Sequence, residues 1–331
     1  MQTYSVAIVG ATGMVGRKMA QVLAERKFPL KKIQFFASER SAGKELMFAG
    51  TSHRVQALTP RSFAGVEIAL FSPGATVSKE MAPHAVSSGT LVIDNSSAFR
   101  MDDQVPLVVP EVNREMIFHH KGIIANPNCS TIQMVVALKP LHDRWKIKRV
   151  VVATYQAVSG AGNRGSTQLQ QEIAGEPVTE KKFAHPIAFN ILPHVDVFLD
   201  DGYTREEIKM VKETQKIMGD QNIKVNATCV RVPVYVGHSE SVNVEFEKPF
   251  DLKEARRALA GAPGVVVQDA PAENCYPLAI NAAERDEVFV GRLRRDDTVP
   301  SGLTMWIVSD NLRKGAATNA VQIAEEWIKG K

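Results

Sequence analysis

The chain has 331 residues, of which 44% are hydrophobic and 23% charged, with a formal net charge of +4. These values are typical of a globular protein of about two domains, and the mild positive charge suits small anionic substrates rather than nucleic acid. Because there is no signal-like or membrane-spanning run, and the three cysteines lack metal-ligand spacing, we expect a cytoplasmic protein with no membrane segment and no metal.

The first predicted element is an apolar strand over residues 5–9, followed by the glycine-rich run GATGMVG at 10–16 and then a helical pattern. Backbone N–H groups at such a strand–turn–helix unit can hold a pyrophosphate. The spacing is GxxGxxG rather than GxGxxG, so an ordinary tight turn is the alternative. Its place at the start of an alternating strand and helix pattern favours a dinucleotide site.

A second predicted strand, residues 33–37, ends in Ser38, Glu39, Arg40 and Ser41. An acidic residue at this position usually binds the ribose 2′-hydroxyl of NAD, whereas an arginine accommodates the 2′-phosphate of NADP. Arg40 between two serines predicts NADP, provided that Glu39 turns outward.

Two more apolar runs, 68–71 and 91–93, each lead into small polar residues, and the first opens onto a turn containing Ser72 and Gly74. Such repeated alternation predicts an α/β fold with a doubly wound parallel sheet. Ligands bind such sheets at the carboxyl ends of the strands, so the Ser72 turn is a further candidate contact with the cofactor.

Cys129 falls between a short apolar strand, 122–125, and an amphipathic helix. At the first turn of a helix, free backbone N–H groups and the helix dipole favour an anion, and this setting lowers the pKa of a thiol. Cys129 is therefore a candidate nucleophile. A small buried apolar residue is the alternative for any single cysteine.

A β-forming run over 149–155 leads to Gln156, whose side-chain amide could orient a substrate or donate to an oxyanion. The next predicted helix begins near Thr204 and places Glu206 and Lys209 on one face. From the residues alone, the preferred interpretation of that pair is a surface ion pair of little energetic value.

The run from 229 to 239 is apolar but is interrupted by Arg231, Pro233, Gly237 and His238. Arg231 and His238 are seven residues apart, so a regular strand would point them to opposite faces. They can serve one site only if the chain bends between them, and Pro233 and Gly237 are the residue types that allow it.

The last strand is predicted at 303–308 and is followed by a helix with one apolar face, which needs a sheet to cover. The N-terminal sheet is the natural partner. We therefore predict a dinucleotide-binding domain of residues 1–128 plus 313–331 and a catalytic and dimerisation domain of residues 129–312.

Several of these runs together resemble the aspartate-β-semialdehyde dehydrogenase family over essentially the full chain. The shared motifs are GATGMVG at 10–16, SERSAGK at 38–44, FSPG at 71–74, DNSSAFR at 94–100, NPNCST at 126–131, YQAVSGAG at 155–162, RVPVYVGHSE at 231–240 and DNLRKGAA at 310–317. The resemblance implies a Rossmann-type domain plus an α+β domain similar to that of glyceraldehyde-3-phosphate dehydrogenase. It also implies a homo-oligomer, expected to be a dimer.

The family interconverts L-aspartate 4-semialdehyde plus inorganic phosphate with 4-phospho-L-aspartate, using NADP, in the biosynthesis of lysine (through diaminopimelate), threonine, methionine and isoleucine. By resemblance, Cys129 forms an acyl-thioester, His238 is the acid–base group and Gln156 orients the substrate. Arg231 would bind the substrate α-carboxylate, and Glu206 the α-ammonium group.

The resemblance also implies the remaining binding residues. The phosphate pocket would consist of Arg100, Asn128 and Lys209. Together with the turns described above, the candidate cofactor residues are Gly10, Thr12, Gly13, Met14, Val15, Ser38, Arg40, Ser41, Ser72, Gly74, Ser159, Gly160 and Asn311.

Two other functions are compatible with parts of the sequence. N-acetyl-γ-glutamyl-phosphate reductase uses similar chemistry, but its acetylated substrate has no ammonium group for Glu206. A non-catalytic NADP-binding relative would be expected to lack Cys129 or His238, and both residues are present.

Overall fold

The structure is a computed structural model that describes residues 2–330. The chain divides into two compact units. The first runs to Pro127 and resumes at Ala316, and the second spans Asn128–Gly315. Within the described range, no helix is both long and apolar enough to cross a membrane.

The secondary structure alternates along the chain. The strands of the described residues are β1 (Tyr4–Val9), β2 (Leu30–Ala37), β3 (Glu45–Phe48), β4 (Thr51–Arg54), β5 (Gln56–Ala57), β6 (Ile68–Phe71), β7 (Leu91–Asp94), β8 (Ile123–Ala125), β9 (Ile147–Gln156), β10 (Lys224–Arg231), β11 (His238–Phe246), β12 (Val265–Val267), β13 (Val288–Asp296) and β14 (Gly302–Ser309). The α-helices are α1 (Met14–Glu25), α2 (Ala75–Ser87), α3 (Pro110–Asn113), α4 (Cys129–Trp145), α5 (Asn163–Ile173), α6 (Arg205–Met218), α7 (Leu252–Ala260), α8 (Ala279–Ala282) and α9 (Thr318–Lys329).

The first unit contains a six-stranded parallel sheet in the order β5-β2-β1-β6-β7-β8. The chain winds in both directions from β1, so the loops after β1 and β6 meet at the carboxyl edge, where Val9 pairs with Phe71. This topology confirms the predicted Rossmann-type, doubly wound sheet.

Both faces of this sheet are covered, as its continuous apolar strands require. All six residues of β1 are buried. On one face Val6 and Ile8 pack in a cluster with Ala320 and Val321 of α9. The last helix therefore covers the N-terminal sheet, as its apolar face predicted. On the other face the residues of α2 pack with the alternate strand positions, including Ala7.

The second unit contains a mixed six-stranded sheet in the order β10-β9-β11-β14-β13-β12. β9 and β10 are parallel, whereas β11 runs antiparallel to both β9 and β14. Helix α4 packs against α6 and against this sheet. The predicted second domain of mixed α+β structure is confirmed.

The sequence did not predict the small hairpin of β3 and β4. Its strands are only four residues long, and β4 has the mostly exposed sequence Thr-Ser-His-Arg. A strand that buries almost nothing carries no alternating apolar pattern from which it could be recognised.

Candidate active site

Cys129 is the first residue of α4 and is partly accessible to solvent. Cys229 is buried, and burial raises the pKa of its thiol. Cys275 is exposed and lies outside any helix start. Since the thiolate is the nucleophilic form, Cys129 is the cysteine whose position best suits attack on a carbonyl carbon.

Asn128 caps the helix that Cys129 begins. Its Oδ1 accepts hydrogen bonds from the backbone N–H groups of Ser130 (3.0 Å) and Thr131 (3.2 Å). The expectation that these first-turn N–H groups would be free for an anion is therefore wrong for two of them, because a side-chain cap satisfies them. What this turn offers a thiolate is mainly the helix dipole.

Glu206 connects three of the predicted site residues. Its Oε1 accepts from Asn128 Nδ2 (2.8 Å) and Gln156 Nε2 (3.3 Å), and its Oε2 accepts from Lys209 Nζ (3.1 Å). Burial opposes ionisation, but Lys209 and the amide donors outweigh it, and the pKa of Glu206 lies below its usual value. The interpretation of Glu206 as part of a surface ion pair is thus wrong, because its carboxylate is buried and ionised.

Lys209 lies between two carboxylates. Its Nζ donates to Asp196 Oδ2 (2.7 Å) as well as to Glu206. Burial alone would lower the pKa of Lys209, but the two acids raise it above its usual value. The ammonium group is therefore held in its charged form, as a phosphate-binding residue requires.

The chain bends between Arg231 and His238, as a shared site requires. β10 ends at Arg231 and β11 begins at His238, and Gly237 has a φ of +96°. Both side chains face Gly160. A Cβ placed there would lie 2.9 Å from Arg231 Nη1 and 3.2 Å from His238 Nε2. The two residues therefore border one space, which the absence of a side chain at Gly160 leaves open.

His238 is fully buried and is held by the backbone of the loop after β9. Its Nδ1 accepts from the N–H of Ala157 (3.0 Å), whereas its Nε2 has no hydrogen-bond partner within the described chain. Burial, assisted by the charge of Arg231, lowers the pKa of His238 well below its usual value. Since Nδ1 accepts, the neutral ring carries its proton on Nε2 and presents a donor to the site.

Arg231 is also buried, and its Nη1 donates to the carbonyl oxygen of Ala157 (2.7 Å). Burial lowers its pKa, and this is opposed by attraction to Glu206 and to the sulfur of Cys129. A guanidinium stays protonated even so. The second unit thus gathers a thiol, a carboxylate, a guanidinium and an imidazole.

The glycine-rich turn of the first unit meets the geometric requirements of a pyrophosphate site. Gly10 has a φ of +81°, and a Cβ there would lie 2.6 Å from the carbonyl oxygen of Ser72. Gly13 precedes α1 without a side-chain cap, so the turn through Thr12 leads directly into the helix that Met14 and Val15 begin. The residues present therefore fit a dinucleotide phosphate.

The other cofactor candidates of the first unit lie at neighbouring strand ends. Ser38, Glu39 and Arg40 are exposed after β2, whereas Ser41 is buried. Gly74, with a φ of +94°, precedes α2.

Arg100, a phosphate candidate, is buried within the first unit. Its Nε donates to the carbonyl oxygen of Asn126 (3.0 Å) and its Nη2 to that of Asn95 (3.0 Å). The side chain is thus fixed to the loops that follow the strands.

The remaining cofactor candidates lie in the second unit and are bonded to one another. Asn311 Nδ2 donates to Ser159 Oγ (2.9 Å), and Asn311 Oδ1 accepts from the N–H of Gly237 (2.9 Å). Asn311 therefore fixes the loop that carries Ser159 and Gly160 relative to the bend before His238.

Sequence reasoning missed two supporting acids. Glu213 Oε2 accepts from the N–H of Asn128 (2.6 Å). It follows Glu206 by seven residues, two turns of α6, so helical spacing could have indicated it. Asp196, the second partner of Lys209, lies in irregular chain before α6 and has no such signal.

Comparison with known proteins identifies the class to which this fold belongs. The model for the NAD binding domain of semialdehyde dehydrogenases matches residues 5–120, and the model for their dimerisation domain matches residues 138–314. The matched class is thus that of the semialdehyde dehydrogenases.

Individual relatives show to which family within the semialdehyde dehydrogenases the chain belongs. The aspartate-semialdehyde dehydrogenase of Aquifex aeolicus is 59% identical over 98% of each chain. The structure of aspartate semialdehyde dehydrogenase II from Vibrio cholerae, complexed with ASA, covers 99% of both chains at 48% identity and a TM-score of 0.95. That of Candida albicans with NADP covers 98% of both at 26% identity and a TM-score of 0.77. The chain belongs to the aspartate-semialdehyde dehydrogenase family.

Proposed function

We propose that the protein catalyses the NADP-dependent reductive dephosphorylation of 4-phospho-L-aspartate to L-aspartate 4-semialdehyde, and the reverse oxidative phosphorylation. The observation that carries this proposal is the pair of buried opposite charges, Glu206 and Arg231, in the unit that holds Cys129. An amino acid brings one ammonium and one carboxylate group, and this pair complements both.

In the biosynthetic direction, the Cys129 thiolate attacks the C4 carbonyl carbon of the acyl phosphate. The bond from C4 to the phosphate oxygen breaks, phosphate leaves, and an acyl-thioester remains on the sulfur. When bound, NADPH supplies the hydride for reduction at C4. Reduction leaves the anion of a thiohemiacetal on Cys129. When its bond from C4 to sulfur breaks, the carbonyl group forms again, the aldehyde is released and the thiolate is restored. Dividing the reaction at a covalent intermediate replaces one difficult step by easier ones.

His238 and Gln156 assist at the C4 oxygen. The Nε2–H of His238 is unpartnered within the described chain and faces the space beside Gly160, so it can donate to an oxygen that gains negative charge. A positioned acid–base group of this kind contributes ~10²–10⁴-fold to the rate. Gln156, bonded to Glu206, orients the substrate.

The phosphate would be bound by Arg100, Asn128 and Lys209. Lys209 is kept cationic, but in this structure both it and Asn128 donate to Glu206. A substrate ammonium group at Glu206 would replace these donors and release them toward phosphate. Substrate and phosphate sites are thereby connected through one carboxylate.

NADP would bind along the carboxyl edge of the first sheet, with its pyrophosphate at the Gly10 turn. Arg40 is exposed where the 2′-phosphate is expected, and the relative from Candida albicans has NADP bound. Since Glu39 is also exposed, it is free to turn away from that phosphate.

We propose that the protein is a homodimer whose interface is formed by the second unit. Its segment 189–203 exposes several large apolar side chains, among them Phe189 (90% exposed) and Phe198 (60%). So many exposed large apolar side chains in one short segment suit an interaction surface, and the matched family domain is a dimerisation domain. We place the enzyme in the cytoplasm, in the biosynthesis of lysine and diaminopimelate, threonine, methionine and isoleucine.

One assay tests the function against its alternatives. Purified protein is given NADP, phosphate and, in turn, aspartate semialdehyde, N-acetylglutamate semialdehyde and glyceraldehyde 3-phosphate. We expect phosphate-dependent NADPH formation with the first aldehyde and at least ~10²-fold lower kcat/KM with the other two, since neither of them brings an ammonium group to the ionised Glu206. Equal rates with the N-acetylated aldehyde, or no turnover at all, would overturn the proposal. Repeating the assay with NAD tests the cofactor preference.

A further inference from the structure

Glu240 is a buried acid that the proposed mechanism does not use. It lies on β11 two residues after His238, and side chains two apart on a strand share a face. It is completely buried, and neither of its carboxyl oxygens has a hydrogen-bond partner of normal geometry among residues 2–330. A carboxylate without partners is strongly disfavoured in such a place. Burial accordingly raises the pKa of Glu240 well above its usual value, which favours the neutral acid.

Gln133 is the amide that interacts with the Glu240 carboxyl group. It lies on α4 one turn after Cys129, and its Nε2 donates to the carbonyl oxygen of His238 (3.3 Å). Its own Oε1 is buried and has no hydrogen-bond partner in the described chain. Gln133 therefore has one acceptor unsatisfied, next to an acid whose oxygens are also unsatisfied.

Counting donors and acceptors shows how both groups can be satisfied. A neutral carboxyl group has one O–H donor and a carbonyl acceptor, and a primary amide has two N–H donors and one acceptor. Glu240 can thus donate to Gln133 Oε1 and accept the second N–H of Gln133, while the first N–H stays on His238. An ionised Glu240 has no donor, so Oε1 of Gln133 would remain unsatisfied.

We propose that Glu240 is a positioning residue, whose neutral carboxyl group forms an acid–amide pair with Gln133. This pair fixes the helix that begins at Cys129 to the strand that begins at His238, and so sets the position of the nucleophile relative to the imidazole. The inference rests on the proposed function, in which these two side chains act on the same carbonyl group.

The test compares E240Q with E240L in the phosphate-dependent assay. E240Q keeps a donor and an acceptor of the same shape, so we expect kcat within ~2-fold of wild type. E240L removes both and should lower kcat by ~10-fold or more, because small displacements of reacting groups are that costly. KM for NADP should change little. The matched control is E245Q on the same strand, where the carboxylate is paired with the exposed Lys148; it should behave as wild type.

An infrared spectrum detects the protonated carboxyl group of Glu240 directly, which a loss of activity or stability alone would not do. At neutral pH the wild type should show the carbonyl stretch of a protonated carboxylic acid, and E240Q should lack it. Absence of this band from the wild type would overturn the proposal. So would an E240Q enzyme as slow as E240L, or a folded E240L with wild-type kcat.

If E240L does not fold, the proposal is tested by exchanging the acid and the amide between positions 133 and 240. Q133E places two acids side by side and should be slow, and Q133E with E240Q restores an acid beside an amide and should recover most of kcat. No recovery would contradict the proposal. If the wild type itself has no turnover, the proposed function is contradicted, but the proposed pair of Glu240 and Gln133 is not. The infrared band and the alkylation rate of Cys129 in the same variants then still test the pair.

Discussion

Helices α1 and α4 both begin directly after a candidate ligand-binding turn, but they begin in opposite ways. Helix α1 follows Gly10 and Gly13 with no side-chain cap. Helix α4 follows Asn128, whose side chain caps it and whose own N–H is taken by Glu213. The first turn can offer N–H groups to a phosphate, whereas the second offers a side chain, the thiol of Cys129.

This difference explains why the two turns were predictable to different degrees. The turn before α1 depends only on small residues at a fixed spacing, which lie within one short run of the sequence. The second depends on partners far along the chain, since Asn128 is bonded to Glu206 and Glu213, which lie 78 and 85 residues further on. A backbone site is readable locally, but a side-chain site is completed only by folding.

The largest expected effect is that of C129A, which removes the thiol from the second turn. We expect kcat to fall by ~10⁴-fold or more, as for other covalent nucleophiles. NADP affinity, measured by titration calorimetry, should stay within ~2-fold of wild type. C275S, at an exposed cysteine, is the matched control and should be fully active. Comparable activity in C129A and C275S would remove Cys129 from its role and end the contrast between the turns.

H238A should lower kcat by ~10²–10⁴-fold and also changes the pH dependence of stability. An unfolded histidine titrates near ~6.5, and the folded ring has a lower pKa. Between these values only the unfolded state binds the proton, so the free energy of unfolding of the wild type decreases as the pH falls below ~6.5. Urea unfolding at several pH values should show a smaller decrease in H238A. Parallel curves would mean that His238 titrates normally.

The smallest effect is expected from G10A, compared with G50A. Both glycines have a φ of +81°, but a Cβ at Gly10 would lie 2.6 Å from Ser72, whereas one at Gly50 finds no described atom within 4 Å. G50A should cost ~1–2 kcal/mol of stability from backbone strain alone, and G10A a further ~1–3 kcal/mol from overpacking.

Only G10A should weaken NADP binding, and the alkylation rate of Cys129 should be unchanged in both glycine variants. Equal NADP affinity in G10A and the wild type would show that the first turn does not hold the cofactor.

The sequence also predicted some residues without their surroundings. Arg231 and His238 were recognisable because they interrupt an apolar strand, and the need for a bend between them followed from their separation. That both would border Gly160 could not be predicted, since Gly160 follows a different strand. Glu206 could be placed on a helix face with Lys209, but not in the interior, because helical periodicity does not reveal which face another helix will cover.

The sequence by itself determined the parallel sheet with its glycine turn, the helix start at Cys129 and the candidate residues, because apolar periodicity and glycine spacing are local properties. Only the tertiary structure decided the charge and proton states. Burial lowers the pKa of His238 and raises that of Glu240, so it favours the neutral form of both groups, whereas the donors around Glu206 favour its ionised form. The reason is physical: the protonation of a buried group depends on desolvation and on the donors around it, and these come from segments that meet only in the folded chain.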